Sequence, residues 1–171
     1  NKMATLIVED NTGLVDANVY ASVDEFRQFA ELNGIKIENI ENEQIAIYLV
    51  RATNFIDSLE NRMIGKRLNP EQALAFPRQQ LNSCSGNPHL YDMRNLKKAL
   101  FYAVEAQSLG FSLLPVNVSK DDIIKKEKID VLEVQYSEDM LTDVLFGKFP
   151  MVERYLSQYL ISNGYTLSVG R

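Results

Sequence analysis

The chain has 171 residues, of which 46% are hydrophobic and 24% are charged. This composition excludes a disordered chain and is sufficient for one globular domain with a proper core, which we expect to span residues 1–171. The formal net charge is -5 and the sequence pI is about 5.0, which argues against tight non-specific nucleic-acid binding, because phosphate contacts need clustered Lys and Arg.

Cysteine content and hydropathy indicate the redox compartment and whether the chain associates with a membrane. Cys84 is the single cysteine and can form no internal disulfide, which suits a reducing compartment. No apolar run approaches the roughly 18 residues of a membrane span, so we expect no membrane association. Met3 fits a native start, and we expect no signal peptide before the fold.

A capping box predicts the first helix. Ser22 and Glu25 have the spacing of an N-cap residue and its reciprocal partner, and the helix should end at Asn33-Gly34. Residues 6–9 form a short strand candidate before it. The inward positions of the helix are Val23, Phe26, Phe29 and Ala30.

The second helix is predicted from about Glu43 to Met63, with Asn42 as its cap. Its apolar residues recur at alternating steps of four and three, which is typical of a helix with one face in the core. We interpret this seam as core packing and not as a cofactor groove. The seam consists of Ile45, Leu49, Ala52, Ile56, Leu59 and Met63.

A stop, a turn and a short helical restart are predicted after the second helix. Gly65 can adopt the positive φ that closes a helix. Asn69 suits an N-cap and Pro70 a first helical position, and Pro77 should end the turn that follows. None of these residues forms a catalytic arrangement.

The rest of the chain is predicted to contain a loop and two further helices. Residues 79–88 are polar and are predicted to be a loop. A third long helix should begin after a cap at Asp92 and run to Gly110. Pro150 should open a last helix, closed at residues 163–164.

Residues 123–136 have the two-residue period of β-strands, and the phase slips between Val131 and Leu132. We predict strands at 124–128 and 132–136, packed on a helix of this chain or on a neighbouring subunit. The expected fold is mainly α, a helical bundle-like domain with a β-hairpin arm. The hypothetical subunit or partner interface on the arm consists of Lys125, Lys126, Lys128, Leu132, Val134 and Tyr136.

No residue pattern indicates catalysis. His89 is the only histidine, and without the His–Cys spacing of zinc sites it is interpreted as an exposed loop residue. Cys84 lies five residues away, so a dyad is formally possible but not favoured. Residues 65–67 lack the upstream glycine of a phosphate loop. We therefore expect no enzyme, no metal and no cofactor.

Three basic clusters are present, at residues 97–98, at residues 125–128, and at Arg62 with Lys66 and Arg67. Each could contact phosphate or an acidic partner. Solvated surface explains all three equally simply, and the third also fits cations at a helix C-terminus. The aromatic residues lie mostly on apolar helix faces, which indicates core positions and not the exposed stacking platform of a single-strand binder.

Taken together, these segments resemble a phage family labelled DnaT-like single-stranded-DNA-binding (ssDNA-binding) proteins. Members of that family are similar to the head–tail connector (adaptor) proteins of tailed phages. The resemblance covers most of the chain in order and depends on the combination of segments. These are residues 6–10 with 13–23, 49–57, 65–67 with 72–78, and 126–128 with 132–136.

The resemblance implies two different functions. The first is a structural virion protein, a connector subunit in a homo-oligomeric ring between the portal and the tail or stopper proteins, with DNA passing through the ring. That protein would be found in the virion, and in the host cytoplasm during assembly. The alternative is an ssDNA-binding protein of a phage or prophage. We favour the connector because an acidic chain without a basic, aromatic groove should bind DNA only weakly.

Overall fold

The computed structural model describes residues 5–81, 88–113 and 149–161, in which helices predominate beside a small antiparallel sheet. The predicted helical class is therefore right in coarse terms. The helices are α1 (Val23–Asn33), α2 (Asn42–Asp57), α3 (Arg94–Ser108) and α4 (Pro150–Leu156), with 3-10 turns at Glu60–Arg62 and Ser157–Tyr159. The strands are β1 (Lys66–Arg67), β2 (Arg78–Leu81) and β3 (Pro88–Leu90).

The predicted hairpin arm lies outside the described residues. The same holds for its proposed interface residues, Lys125, Lys126, Lys128, Leu132, Val134 and Tyr136.

Helix α1 has the predicted bounds, and both of its ends are capped. Ser22 Oγ accepts a hydrogen bond from the N–H of Glu25 (3.2 Å), and the N–H of Ser22 donates to Glu25 Oε2 (2.7 Å). Gly34 adopts φ 67°, and its N–H reaches the carbonyls of the last turn. Such a cap is worth about 1 kcal/mol, because it pairs backbone groups that the helix itself leaves open.

Residues 6–9 do not form a strand of the sheet, contrary to the prediction. Val8 makes one isolated parallel bridge to Val19, where the N–H of Glu9 donates to the Val19 carbonyl (2.9 Å). The Glu9 carboxylate then accepts the N–H groups of Gly13 and Leu14 (both 2.9 Å). The segment is thus held by a buried carboxylate and not by a strand ladder.

Helix α2 buries the predicted seam but ends earlier than predicted. It starts at Asn42, with Glu41 as the N-cap, and ends at Asp57 instead of Met63. Beyond it the N–H of Leu59 donates to the Ile56 carbonyl (3.1 Å), which tightens the chain into a 3-10 turn. The apolar seam continues through this turn. Each of the six seam residues is at most 4% exposed: Ile45, Leu49, Ala52, Ile56, Leu59 and Met63.

The stretch after α2 turns as predicted but does not restart as a helix. Gly65 adopts the predicted positive φ (72°), but it closes no helix, because α2 already ends at Asp57. Asn69 Oδ1 accepts the N–H of Glu71 (3.1 Å), so Asn69 caps a turn and not a helix. The buried Gln72 side chain then donates to the Pro77 carbonyl (3.0 Å), which holds the loop closed.

Residues 79–88 were predicted as a loop, and this is wrong for their two ends. Strand β2 pairs antiparallel with β1 on one side and with β3 on the other. The Arg78 guanidinium donates to the carbonyls of Ile64 (2.8 Å) and Gly65 (2.7 Å), which fastens β2 to the segment before β1. His89 therefore lies on an exposed strand and not in a loop.

Helix α3 follows the prediction closely, whereas α4 is shorter than predicted. Asp92 Oδ1 accepts the N–H of Arg94 (2.9 Å), although the formal N-cap is Met93. Pro150 is the first residue of α4, as predicted. The chain leaves the helix early because Leu160 bridges Met63, and the predicted closure at residues 163–164 lies outside the described residues.

The core forms where α3 packs against both α2 and α4, and α1 packs against α2. Aromatic rings connect α1 to α3, with the Phe26 and Phe101 centroids 5.7 Å apart. Phe29 lies 4.9 Å from Phe101 and meets Tyr102 edge-on at 5.4 Å. These contacts hold α3 against α1, and Tyr102 of α3 belongs to the candidate site.

Candidate nucleic-acid interface

Two tyrosines and a lysine form an ordered surface between α3 and α4. The rings of Tyr102 and Tyr155 stack with centroids 5.7 Å apart and an interplanar angle of 5°. Lys98 Nζ lies 5.4 Å from the centroid of the Tyr155 ring. Both tyrosines are partly exposed and Lys98 is exposed. We call these three residues the α3–α4 surface.

Helical spacing explains why these side chains meet. Lys98 and Tyr102 are four residues apart and share one face of α3. Tyr155 comes from α4, where Val152 and Leu156 are buried against the core and leave Tyr155 at the margin. Tyr102 is held in place because Phe29 packs edge-on against its ring.

Lys98 is the cation of this surface that is available to a ligand. It has no carboxylate partner among the described residues. Its neighbour Lys97 is bound to Glu25 (2.6 Å), and Arg94 pairs with Asp92 (2.5 Å). A cation beside an aromatic pair can contact a phosphate while the rings contact bases, which is the combination that single-strand binders use.

Tyr102 keeps its proton over the physiological range. Burial raises the pKa of Tyr102 above its ordinary value, and Tyr155 and Glu105 raise it further. A neutral phenol adds no negative charge that would repel a phosphate backbone. The surface is thus aromatic and locally basic at its Lys98 end.

The basic cluster of Arg62, Lys66 and Arg67 is not a comparable site. Arg67 donates to the Glu60 carboxylate through Nε (2.6 Å) and Nη2 (2.7 Å), which occupies its charge. The interpretation of this cluster as cations at a helix C-terminus is also wrong, because α2 ends at Asp57. Lys66 is exposed on β1.

The remaining candidate residues do not come together. His89 is exposed, with its ring edge-on to Tyr91 at 6.2 Å, and Cys84 lies outside the described residues. Among the described residues, no three or more His, Cys, Asp or Glu side chains are grouped so that they could hold a metal ion. In the same part of the chain, no helix is both long and apolar enough to cross a membrane.

Only part of the α3–α4 surface can be predicted from the sequence. The Lys97–Lys98 pair was recognised as basic, but the tyrosines were assigned to the core with the other aromatics. The spacing of Lys98 and Tyr102 was a usable signal, since residues four apart on a helix are neighbours. No local signal could pair Tyr102 with Tyr155, because the two belong to different helices.

The comparisons with known proteins identify a family. A family model described as "Putative DnaT-like ssDNA binding protein" matches residues 4–171. Neither the curated proteins nor the solved structures include a match to this chain.

The family description corrects the functional prediction. It names ssDNA binding, so the connector-subunit prediction is wrong, and the finding favours the alternative that accompanied it. The family description names no ring and no portal or tail partner, and the virion localisation stays a prediction. Because the match spans nearly the whole sequence, the chain belongs to the DnaT-like ssDNA-binding protein family.

Proposed function

We propose that the protein binds single-stranded DNA through the α3–α4 surface, without catalysis. Bases stack on the exposed parts of Tyr102 and Tyr155, and Lys98 contacts a backbone phosphate. The observation that carries the proposal is the parallel tyrosine pair with Lys98 beside it, 5.4 Å from a ring centroid. The family membership supports the same ligand class.

The chemistry favours a single strand over a duplex. Stacking needs an exposed base face, which unpaired bases offer and a duplex does not. Base stacking on an aromatic side chain is worth about 1–3 kcal/mol per base. One available lysine adds a small electrostatic contribution, so binding should depend only modestly on salt.

The overall acidity limits affinity without preventing binding. Charges farther away than about 8 Å are largely screened at physiological ionic strength, so the local charge near Lys98 matters more than the net charge of -5. Arg94 can add a second phosphate contact, since its pair with Asp92 is exposed and such pairs are worth little. An ssDNA-binding protein of a phage or prophage would act in the host cytoplasm.

The test is binding of a labelled oligothymidylate, followed by fluorescence anisotropy over a series of salt concentrations. Tyr155→Ala should weaken binding about 5- to 100-fold, because a stacking surface is lost. Lys98→Gln should lower the slope of log K against log salt by about 0.7, the value for one phosphate contact on a single strand.

Matched variants separate the interface from general effects. Tyr155→Leu keeps an apolar side chain on the surface but removes the aromatic ring. Its affinity for oligothymidylate should therefore fall almost as far as that of Tyr155→Ala. Lys36→Gln removes an exposed positive charge from the loop between α1 and α2 and should leave the salt slope unchanged. Wild-type protein that fails to bind oligothymidylate, or binding unaffected by both Tyr155 variants, would refute the proposal.

A further inference from the structure

An apolar cleft adjoins the tyrosine pair and contains one carboxylate. The cleft has a volume of about 190 Å³ and lies between the end of α3 and the start of α4. Tyr102 belongs both to the pair and to the wall of the cleft. The wall also includes Glu105, Leu109, Phe111, Phe149 and Met151.

The cleft suits one flat ring system. Its volume is below the roughly 300–1,000 Å³ of ordinary small-molecule pockets, so a whole nucleotide does not fit but an inserted base does. Leu109 and Phe111 are 69% and 59% exposed, which leaves apolar surface for a base to cover. A strand stacked on Tyr102 would place its next base at this opening.

Among the described residues that line the cleft, Glu105 is the only charged one. Its carboxylate forms no hydrogen bond or ion pair with any residue that the structure describes. Burial raises its pKa above the ordinary value, as expected for a carboxylate that the cleft solvates poorly. A ligand that donates hydrogen bonds to Glu105 would relieve this cost.

We propose that the cleft accepts one base of the bound strand, that the Glu105 carboxylate accepts hydrogen bonds from it, and that guanine is preferred. This inference rests on the proposed ssDNA-binding function and adds base selectivity to it.

The selectivity follows from the donors on each base. Guanine presents N1–H and N2–H side by side, and these match the two oxygens of a carboxylate. Cytosine and adenine offer one amino group each. Thymine has a single N3–H between two carbonyl oxygens, which a carboxylate repels. Guanine should therefore bind best and thymine worst.

The experiment compares an oligothymidylate with the same strand carrying isolated guanines, both binding to the full chain at fixed salt. Wild-type protein should bind the guanine strand about 5- to 100-fold more tightly, the range for one bidentate base contact. Replacing the guanines by inosine, which lacks the N2 amino group, should remove most of this preference.

Variants assign the preference to one side chain. Glu105→Gln should bring the two affinities together while oligothymidylate binding persists. Glu153→Gln removes an exposed carboxylate of α4 outside the cleft wall, and it should leave the guanine-to-thymine ratio unchanged. Thermal unfolding of each variant checks that the fold is intact.

The outcomes distinguish the guanine preference from the underlying ssDNA binding. Equal affinities of wild-type protein for both strands, or a guanine preference that survives in Glu105→Gln, would overturn the base-reading inference while ssDNA binding stands. If neither strand binds, both proposals are wrong.

Discussion

At the scale of single residues, Asp57 is a carboxylate in an unfavourable electrostatic environment. Its carboxylate accepts a hydrogen bond from the Tyr20 hydroxyl, which itself accepts the N–H of Phe76 (3.1 Å). Burial is the main cause that raises the pKa of Asp57 to about 6, and the nearby Glu60 adds to it. Arg67 acts in the opposite direction but does not compensate.

This raised pKa predicts a pH-dependent gain in stability for Asp57→Asn. A carboxyl group whose folded pKa exceeds its unfolded value costs stability as pH rises from about 4 through 6, because the folded state disfavours the charged form. Asparagine keeps an acceptor for Tyr20 without the charge. At pH 7.5 the variant should be more stable than wild type by at most about 3 kcal/mol, and the gain should shrink towards pH 4.

Urea unfolding at both pH values provides the measurement. The exposed Asp16→Asn serves as the control for removing a carboxylate and should show no such pH-dependent gain. A less stable Asp57→Asn at pH 7.5 would mean that the hydrogen bonds of Asp57 with Tyr20 and with the Ala75 backbone, together with the attraction to Arg67, outweigh the cost of burial.

At the scale of elements, the turn at Gly65 brings the backbone before β1 close to β2 and to the ring of Tyr91. A Cβ atom at Gly65 would lie 2.7 Å from the Gln79 carbonyl oxygen and 2.7 Å from Cε2 of Tyr91. The first contact is with backbone and cannot be relieved by a side-chain rotation. The close pairing of β1 with β2 therefore requires glycine here as much as the positive φ does.

Gly65→Ala should consequently destabilise the protein more than Gly34→Ala. Both glycines have positive φ, which costs an alanine about 1–2 kcal/mol. Gly34 has nothing within 4 Å of the added Cβ, so it isolates the conformational cost, and Gly65→Ala should lose about 1–3 kcal/mol more. Equal losses in urea unfolding would show that the sheet moves aside at no cost.

The elements also show how far the sequence determined the fold. Helix α1 was predicted with both ends because its caps, Ser22 and Gly34, are local signals. The end of α2 was missed because the apolar seam continues through a 3-10 turn with nearly the same spacing. The sheet was missed because β2 is polar, and the bonds from Arg78 to Ile64 and Gly65 cannot be read from periodicity.

At the scale of the whole molecule, one core joins the four helices of the described residues, and α2 is the longest of these helices. Leu49→Ala and Ile56→Ala should each cost about 2–5 kcal/mol, because both side chains are fully buried and truncation leaves a cavity. Ile47→Ala on the same helix is the control, since Ile47 is 46% exposed and should lose little. Urea unfolding of the three variants tests this, and a near-neutral Leu49→Ala would contradict the packing of α2.

The candidate site shows why whole-chain properties predicted function poorly. The net charge of -5 argued against DNA binding, yet it averages over surfaces that a bound strand never meets. Most aromatic residues were interpreted as core because they lie on apolar helix faces. Whether Tyr102 and Tyr155 are covered or left at the margin depends on how α3 and α4 pack, which is a property of the assembled fold.

The contacts of Tyr159 join the end of α4, and with it Tyr155, to earlier parts of the chain. The Tyr159 hydroxyl accepts the N–H of Leu96 (3.1 Å), 63 residues earlier in the chain, and its backbone carbonyl accepts the N–H of Ile64 (2.8 Å). Such distant contacts form late, because a long loop must close first. A chain emerging from the ribosome therefore cannot dock Tyr155 beside Tyr102 until α4 has been made. The DNA binding proposed for the α3–α4 surface therefore requires that synthesis has passed α4.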